Sequence, residues 1–121
     1  MSKFVDILYR IIGSRIKSRR EELGISQEYL SSKIGIGRTS ISNIELGRHK
    51  PPLHTIYKIS DILDLDIQIL LPTYNEVQVR IDFELTSELK ELENIIKANP
   101  DLDSKEKIEI ENVIKNLSDD K

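Results

Sequence analysis

A chain of 121 residues with 38% hydrophobic content and a formal charge of −3 has room for one modest core and a small appendage, and it contains no internal repeat or low-complexity segment. Cysteine is absent, which excludes disulfides and thiolate chemistry and is compatible with a reducing compartment. No apolar run approaches the ~20 residues of a membrane-spanning helix, and the N-terminal MSKFVDILYRIIGSR is interrupted by charges, unlike a secretory signal, so the expectation is a soluble cytoplasmic protein with no membrane partner.

The net charge argues against a polyanionic partner, but its distribution argues for one. Between Arg10 and Lys58 ten basic residues face four acidic ones, a local excess of +6, whereas seven basic and thirteen acidic residues between Pro72 and Lys121 give −6. Salt screens exposed charges over ~8 to 10 Å, so attraction to phosphate is decided locally and the first half alone has the right sign.

Taken in order, Phe4, Ile7, Leu8, Ile11, Ile12, Ile16 and Leu23 recur at helical spacing. They predict one helix over about 4–23, or a short helix and a longer one breaking near Gly13. Gly24 ends it, and Ser26 caps a second helix whose inward residues are Leu30 and Ile34. The turn Gly35-Ile36-Gly37 leads into a third helix from about Arg38 to Leu46, with Ile41 and Ile44 inward and Gly47 as its stop. Lys50-Pro51-Pro52 cannot continue a helix. Leu53, Ile56, Ile59 and Leu63 predict a fourth helix over about 53–63, and Asp66 caps a short fifth over 67–71, closed by Pro72. These five helices make an all-α core of about sixty residues, near the lower limit of independent stability.

Beyond Pro72 the pattern changes. In Val77 to Phe83, the residues Val77, Val79, Ile81 and Phe83 alternate with Gln78, Arg80 and Asp82, the period of a half-buried strand. An isolated strand leaves its backbone groups unsatisfied, so this segment is expected either to pair with the same strand of a second copy or to lie as an extended linker on the helical part. Ser87 is the expected cap of a helix through Ala98, Asn99-Pro100-Asp101 breaks it, and Ser104 caps another to about Leu117. Two short amphipathic helices about a tight turn cannot fold alone, so Leu92, Ile96 and Val113 join the strand residues as candidate dimer or docking contacts. The expected organisation is therefore residues 1–71, a linker or strand at 72–86, and a helical hairpin at 87–121.

The third helix carries the chemistry. With its isoleucines turned inward, Arg38, Thr39, Ser42 and Asn43 point outward, one guanidinium, two hydroxyls and one amide, the donors and acceptors that read base edges in a DNA major groove. Arg38 suits a guanine edge or a phosphate, and Asn43 suits adenine or simple solvation. Lys17, Arg19 and Lys33 read as a solvated face. His49 and His54 have no second ligand at metal spacing, no nucleophile-base-orienter set can be assembled, and Gly35-Ile36-Gly37 is turn chemistry, so no metal, no cofactor and no enzyme activity are expected.

Residues 13–71 resemble the phage-repressor-like, or XRE, helix-turn-helix family. The resemblance lies in the basic first helix ending at Gly24, Ser26-Gln27 opening helix two, the Ile41-Ser42-Asn43-Ile44-Glu45 segment, Gly47-Arg48 and Pro51-Pro52, all in the family's order. It implies a five-helix lambda-repressor-like domain whose third helix enters the major groove, with Arg38, Thr39, Ser42 and Asn43 at base edges. It further implies backbone contacts from Gln27, which in this family touches phosphate or orients the reading helix, and from Arg15, Arg48 and Lys50, and a structural ion pair between Arg20 and Glu45. Two positions depart from the pattern: Gly37 replaces the usual capping side chain of the reading helix, and Pro52 stands where a capping Ser is common.

Together these readings predict a sequence-specific transcriptional regulator of the nucleoid, a homodimeric repressor on a palindromic operator. The alternative is an antitoxin-like or anti-repressor-controlled module whose acidic tail binds a partner protein while DNA binding serves autoregulation.

Overall fold

The computed structural model describes residues 2–119, and every regular element in them is an α-helix. The elements are α1 (Ser2–Glu22), α2 (Gln27–Ile34), α3 (Arg38–Glu45), α4 (Leu53–Ile62), α5 (Ile67–Leu70), α6 (Tyr74–Ala98) and α7 (Ser104–Asp119). They form two compact units, residues 1–78 and 79–121.

In the first unit the helical spacing converges on one core. Ile12, Ile16, Leu30, Ile41, Ile44, Ile56, Ile59, Leu63 and Leu70 pack together, so each of α1 to α5 buries its apolar stripe against the others. The boundaries have identifiable chemical causes. Ser26 Oγ accepts from the Tyr29 amide at 3.0 Å, and Asp66 Oδ1 from the Gln68 amide at 2.9 Å. α1 ends with Gly24 at φ +67, where the Ile25 amide returns to the Arg20 carbonyl at 3.0 Å. α1 is a single helix: Gly13 is buried in its middle and does not break it.

The expected strand is not there. Residues 77–83 lie inside α6, a 25-residue helix with Thr73 Oγ1 accepting from the Glu76 amide at 3.0 Å near its start. The alternation of Val77, Val79, Ile81 and Phe83 is genuine but local. The longer series Val77, Ile81, Leu85, Leu89, Leu92 and Ile96 keeps helical spacing, and neither Gly nor Pro interrupts the chain from Thr73 to Asn99. The helix therefore splits the four alternating residues between two sides. Val77 is fully buried in the first unit, while Val79 and Phe83 are 57% and 68% exposed. A helix satisfies its own backbone, so no strand partner is needed. Ser87, expected as a cap, sits in mid-helix, and the helical hairpin thus begins within an element that starts at Tyr74, not after a linker at 72–86.

The second unit consists of the rest of α6 and α7 about the turn at Asn99, whose Oδ1 accepts from the Asp101 amide at 2.9 Å. Asp103 and not Ser104 supplies the α7 cap, its Oδ1 accepting from the Glu106 amide at 2.7 Å. Among the described residues of this unit, Ile96 and Ile114 are the buried apolar ones, and Leu89, Leu92, Ile110, Val113 and Leu117 line an open groove beside Ile114.

Candidate nucleic-acid interface

The third helix is held from behind. Ile41 and Ile44 are buried in the core at 1% and 4% exposure. Glu45, in the last turn of α3, is buried among polar partners: Arg20 Nε donates to its Oε2 at 2.7 Å, Arg20 Nη2 to its Oε1 at 3.0 Å, and Gln27 Nε2 to the same Oε1 at 3.0 Å. One carboxylate thus ties α1, α2 and α3 together. Arg20 Nη1 also donates to the Ile25 carbonyl at 2.9 Å, so the guanidinium is oriented by both partners. The hydrogen bond to Glu45 raises the Arg20 pKa above its ordinary value, so the guanidinium is held in its charged form. Gln27 thus reaches from the start of α2 to the carboxylate at the end of α3.

α3 begins without a side-chain cap, since Gly37 in extended conformation precedes Arg38. Its C-terminus is closed by a paired turn: the Gly47 amide donates to the Ile44 carbonyl at 3.0 Å and the Arg48 amide to the Asn43 carbonyl at 2.8 Å, with Gly47 at φ +77. That turn fixes where Arg48, His49 and Lys50 leave the helix, all three exposed.

On the outer face, Arg38 and Thr39 are exposed and Ser42 and Asn43 are half-buried. Arg38 Nη1 lies 3.8 Å from Glu28 Oε1, with both side chains largely in solvent, so the pair holds Arg38 weakly. Lys50 Nζ is similarly 3.7 Å from Asp6 Oδ1. The four residues expected to meet base edges therefore share one accessible helix face, with Arg48 and Lys50 just beyond its end.

Arg15 is placed differently. Its Nη1 donates to the Ile69 carbonyl at 2.9 Å and its Nη2 pairs with Glu76, so both amino groups brace α1 against α5 and the start of α6. Arg19, read from the sequence as solvated, likewise donates from Nε to the Leu63 carbonyl at 2.9 Å and from Nη2 to the Asp64 carbonyl at 3.1 Å, closing the end of α4. Sequence signals for basic residues cannot separate those that face phosphate from those that satisfy helix-end carbonyls, because both uses need the same donors. Among the candidate dimer contacts, Val77 and Ile96 are buried, Ile81 is half-buried, and Val79, Phe83, Leu92 and Val113 are exposed.

No group of three metal-ligating side chains occurs among the described residues, and no described helix is long and apolar enough to cross a membrane.

Comparison with known proteins places this arrangement. The helix-turn-helix family model matches residues 16–70, the span from the middle of α1 to the end of α5. The ImmF control region 10 kDa protein of Bacillus phage phi105 is 35% identical over 68 residues, covering 56% of this chain and 73% of the phage protein. The HTH-type transcriptional regulator SinR of Bacillus subtilis is 34% identical over 83 residues, 68% of this chain and 73% of SinR. The HTH-type transcriptional regulator ImmR of the same organism is 30% identical over 60 residues, 50% of this chain and 47% of ImmR. Its five-helix first unit and these relatives together show that the chain belongs to the phage-repressor-like XRE family of helix-turn-helix DNA-binding transcriptional regulators.

Proposed function

We propose that this regulator is a homodimeric repressor in which α3 reads a roughly palindromic operator. The observation that carries the reading is the division of α3 into a buried side fixed by Ile41, Ile44 and Glu45 and an accessible side carrying Arg38, Thr39, Ser42 and Asn43. A helix immobilised on one side and polar on the other can deliver hydrogen-bonding groups to base edges in a fixed register. Arg48 and Lys50, beside the end of α3, neutralise phosphates and set that register. Gln27 acts through Glu45, and Arg15 is left out of the contact set because its guanidinium braces the first unit.

Val79, Phe83, Leu92 and Val113 supply the contacts with a second copy. Two copies reading half-sites about one helical turn (~34 Å) apart multiply the affinity, and within the cytoplasmic nucleoid an operator so occupied blocks polymerase at that site. Selection of the full chain against a randomised duplex library at low salt tests the proposal. The expected product is an inverted repeat, bound by a dimer and lost to Arg38→Ala. A single unrepeated half-site bound by a monomer overturns the dimeric reading, and recovery of no preferred sequence overturns the whole. Stable co-purification of a second polypeptide, released when Phe83 or Val113 is made polar, supports instead the partner-binding tail.

A further inference from the structure

Side chains hold α3 from behind, and at its last turn the backbone of α1 itself comes close. A Cβ built on Gly13 of α1 would stand 2.2 Å from the Ile44 carbonyl oxygen, 2.6 Å from that of Glu45 and 2.9 Å from the Glu45 carbonyl carbon. We propose that Gly13 is a positioning residue for DNA reading: by having no side chain it sets the depth at which α3 is seated against α1, and with it the reach of Arg38, Thr39, Ser42 and Asn43. The proposal rests on α3 being the reading helix.

The atoms in the way are main chain, so no rotamer change makes room. Real Cβ contacts essentially never fall below 3.0 Å, and a methyl at Gly13 therefore demands a movement of at least about 0.8 Å between α1 and the last turn of α3. The seat is also pinned to either side. A Cβ at Gly47, just past α3, would lie 2.6 Å from Arg10 Cγ and 2.8 Å from Arg10 Cα, and Arg20 holds the Glu45 carboxylate further along α1. With both flanks fixed, the displacement cannot be absorbed by α3 sliding along α1; the helix must lift or tilt. A hydrogen bond of ~2.9 Å lengthened by that amount is no longer a hydrogen bond, whereas attraction between a lysine or arginine and a phosphate decays gently over the same distance. Base selectivity is therefore more sensitive to this contact than non-specific affinity.

The test compares the full-length wild type with Gly13→Ala and Gly24→Ala on the selected operator and on an unrelated duplex. Gly24 has φ +67 and no atom within 4 Å of its would-be Cβ, so Gly24→Ala strains the backbone and lowers the melting temperature without pushing on α3. Gly13→Ala is expected to lower the ratio of specific to non-specific affinity by about tenfold or more, the equivalent of one good bidentate base contact, with the salt slope of non-specific binding retained. Gly24→Ala is expected to keep the wild-type ratio. An unchanged ratio in Gly13→Ala, or an equal loss in Gly24→Ala, overturns the proposal. Should Gly13→Ala be unfolded in ordinary buffer, the comparison is repeated in trimethylamine N-oxide, which favours compact states; a chain still unfolded there makes Gly13 a folding residue and overturns the proposal as well. Wild type that prefers no duplex would refute DNA reading by α3 itself, a result distinct from selective wild type with an equally selective Gly13→Ala.

Discussion

The two units of this chain bury their apolar residues to very different extents. Among the described residues, the first unit buries eleven large hydrophobics from Ile7 to Val77, nine of them in one cluster. The second unit buries Ile96 and Ile114 and leaves Val79, Phe83, Leu85, Leu92, Ile95, Ile108, Val113 and Leu117 largely in solvent. Five helices packed around one cluster enclose a centre; two helices about one turn share only a seam. The first unit therefore encloses its apolar side chains, and the second leaves most of its own exposed.

The largest expected effects lie in the first unit. Leu63→Ala, at a fully buried position, is expected to cost about 2 to 5 kcal/mol, while Ile114→Ala on the seam of the second unit should cost clearly less in dilute solution. Thermal melts of both variants at low protein concentration check this, and equal losses would show that the second unit has a core as complete as the first. Glu45→Ala strands the Arg20 guanidinium and removes the Gln27 tie, an expected loss of about 3 kcal/mol or more seen as a lower melting temperature. A melt identical to wild type would mean that α3 does not depend on this carboxylate.

Arg38→Ala separates function from stability. The side chain is 65% exposed and paired only at 3.8 Å, so the melting temperature should stay near wild type while operator discrimination falls by about 1 to 3 kcal/mol in a gel-shift series. Phe83→Ser asks the reverse question of the second unit: at 68% exposure it should leave the melt of the dilute chain nearly unchanged yet shift sedimentation toward monomer at high concentration. The smallest effect is expected from Gly37→Ser, which restores a side-chain cap to α3 and should raise stability by a few tenths of a kcal/mol in a denaturant titration.

The sequence alone placed helices two to five to within a residue and the first to within two, with a break near Gly13 left open, because period, caps and breakers agreed: Leu30 and Ile34, Ile41 and Ile44, Ser26, Asp66, Gly24 and Gly47 all point to the same elements. It also marked the outward residues of α3, since an eight-residue helix with two buried isoleucines leaves few choices of face. Beyond Pro72 the seven residues Val77 to Phe83 carried a period of two that the 25-residue helix containing them does not keep, and the longer signal was the one the chain obeyed. What only the tertiary structure decided concerns long-range partners. Arg15, Arg19 and Arg20 are three basic residues on one helix, yet one braces α5 and α6, one closes α4, and one holds the carboxylate behind α3. Gly13 reads in sequence as a weak point in a helix, and only the fold shows it as the place where two backbones touch. Periodicity reports which way a side chain faces along its own helix; which atoms it meets there depends on helices distant in the chain, and that is fixed only when they pack.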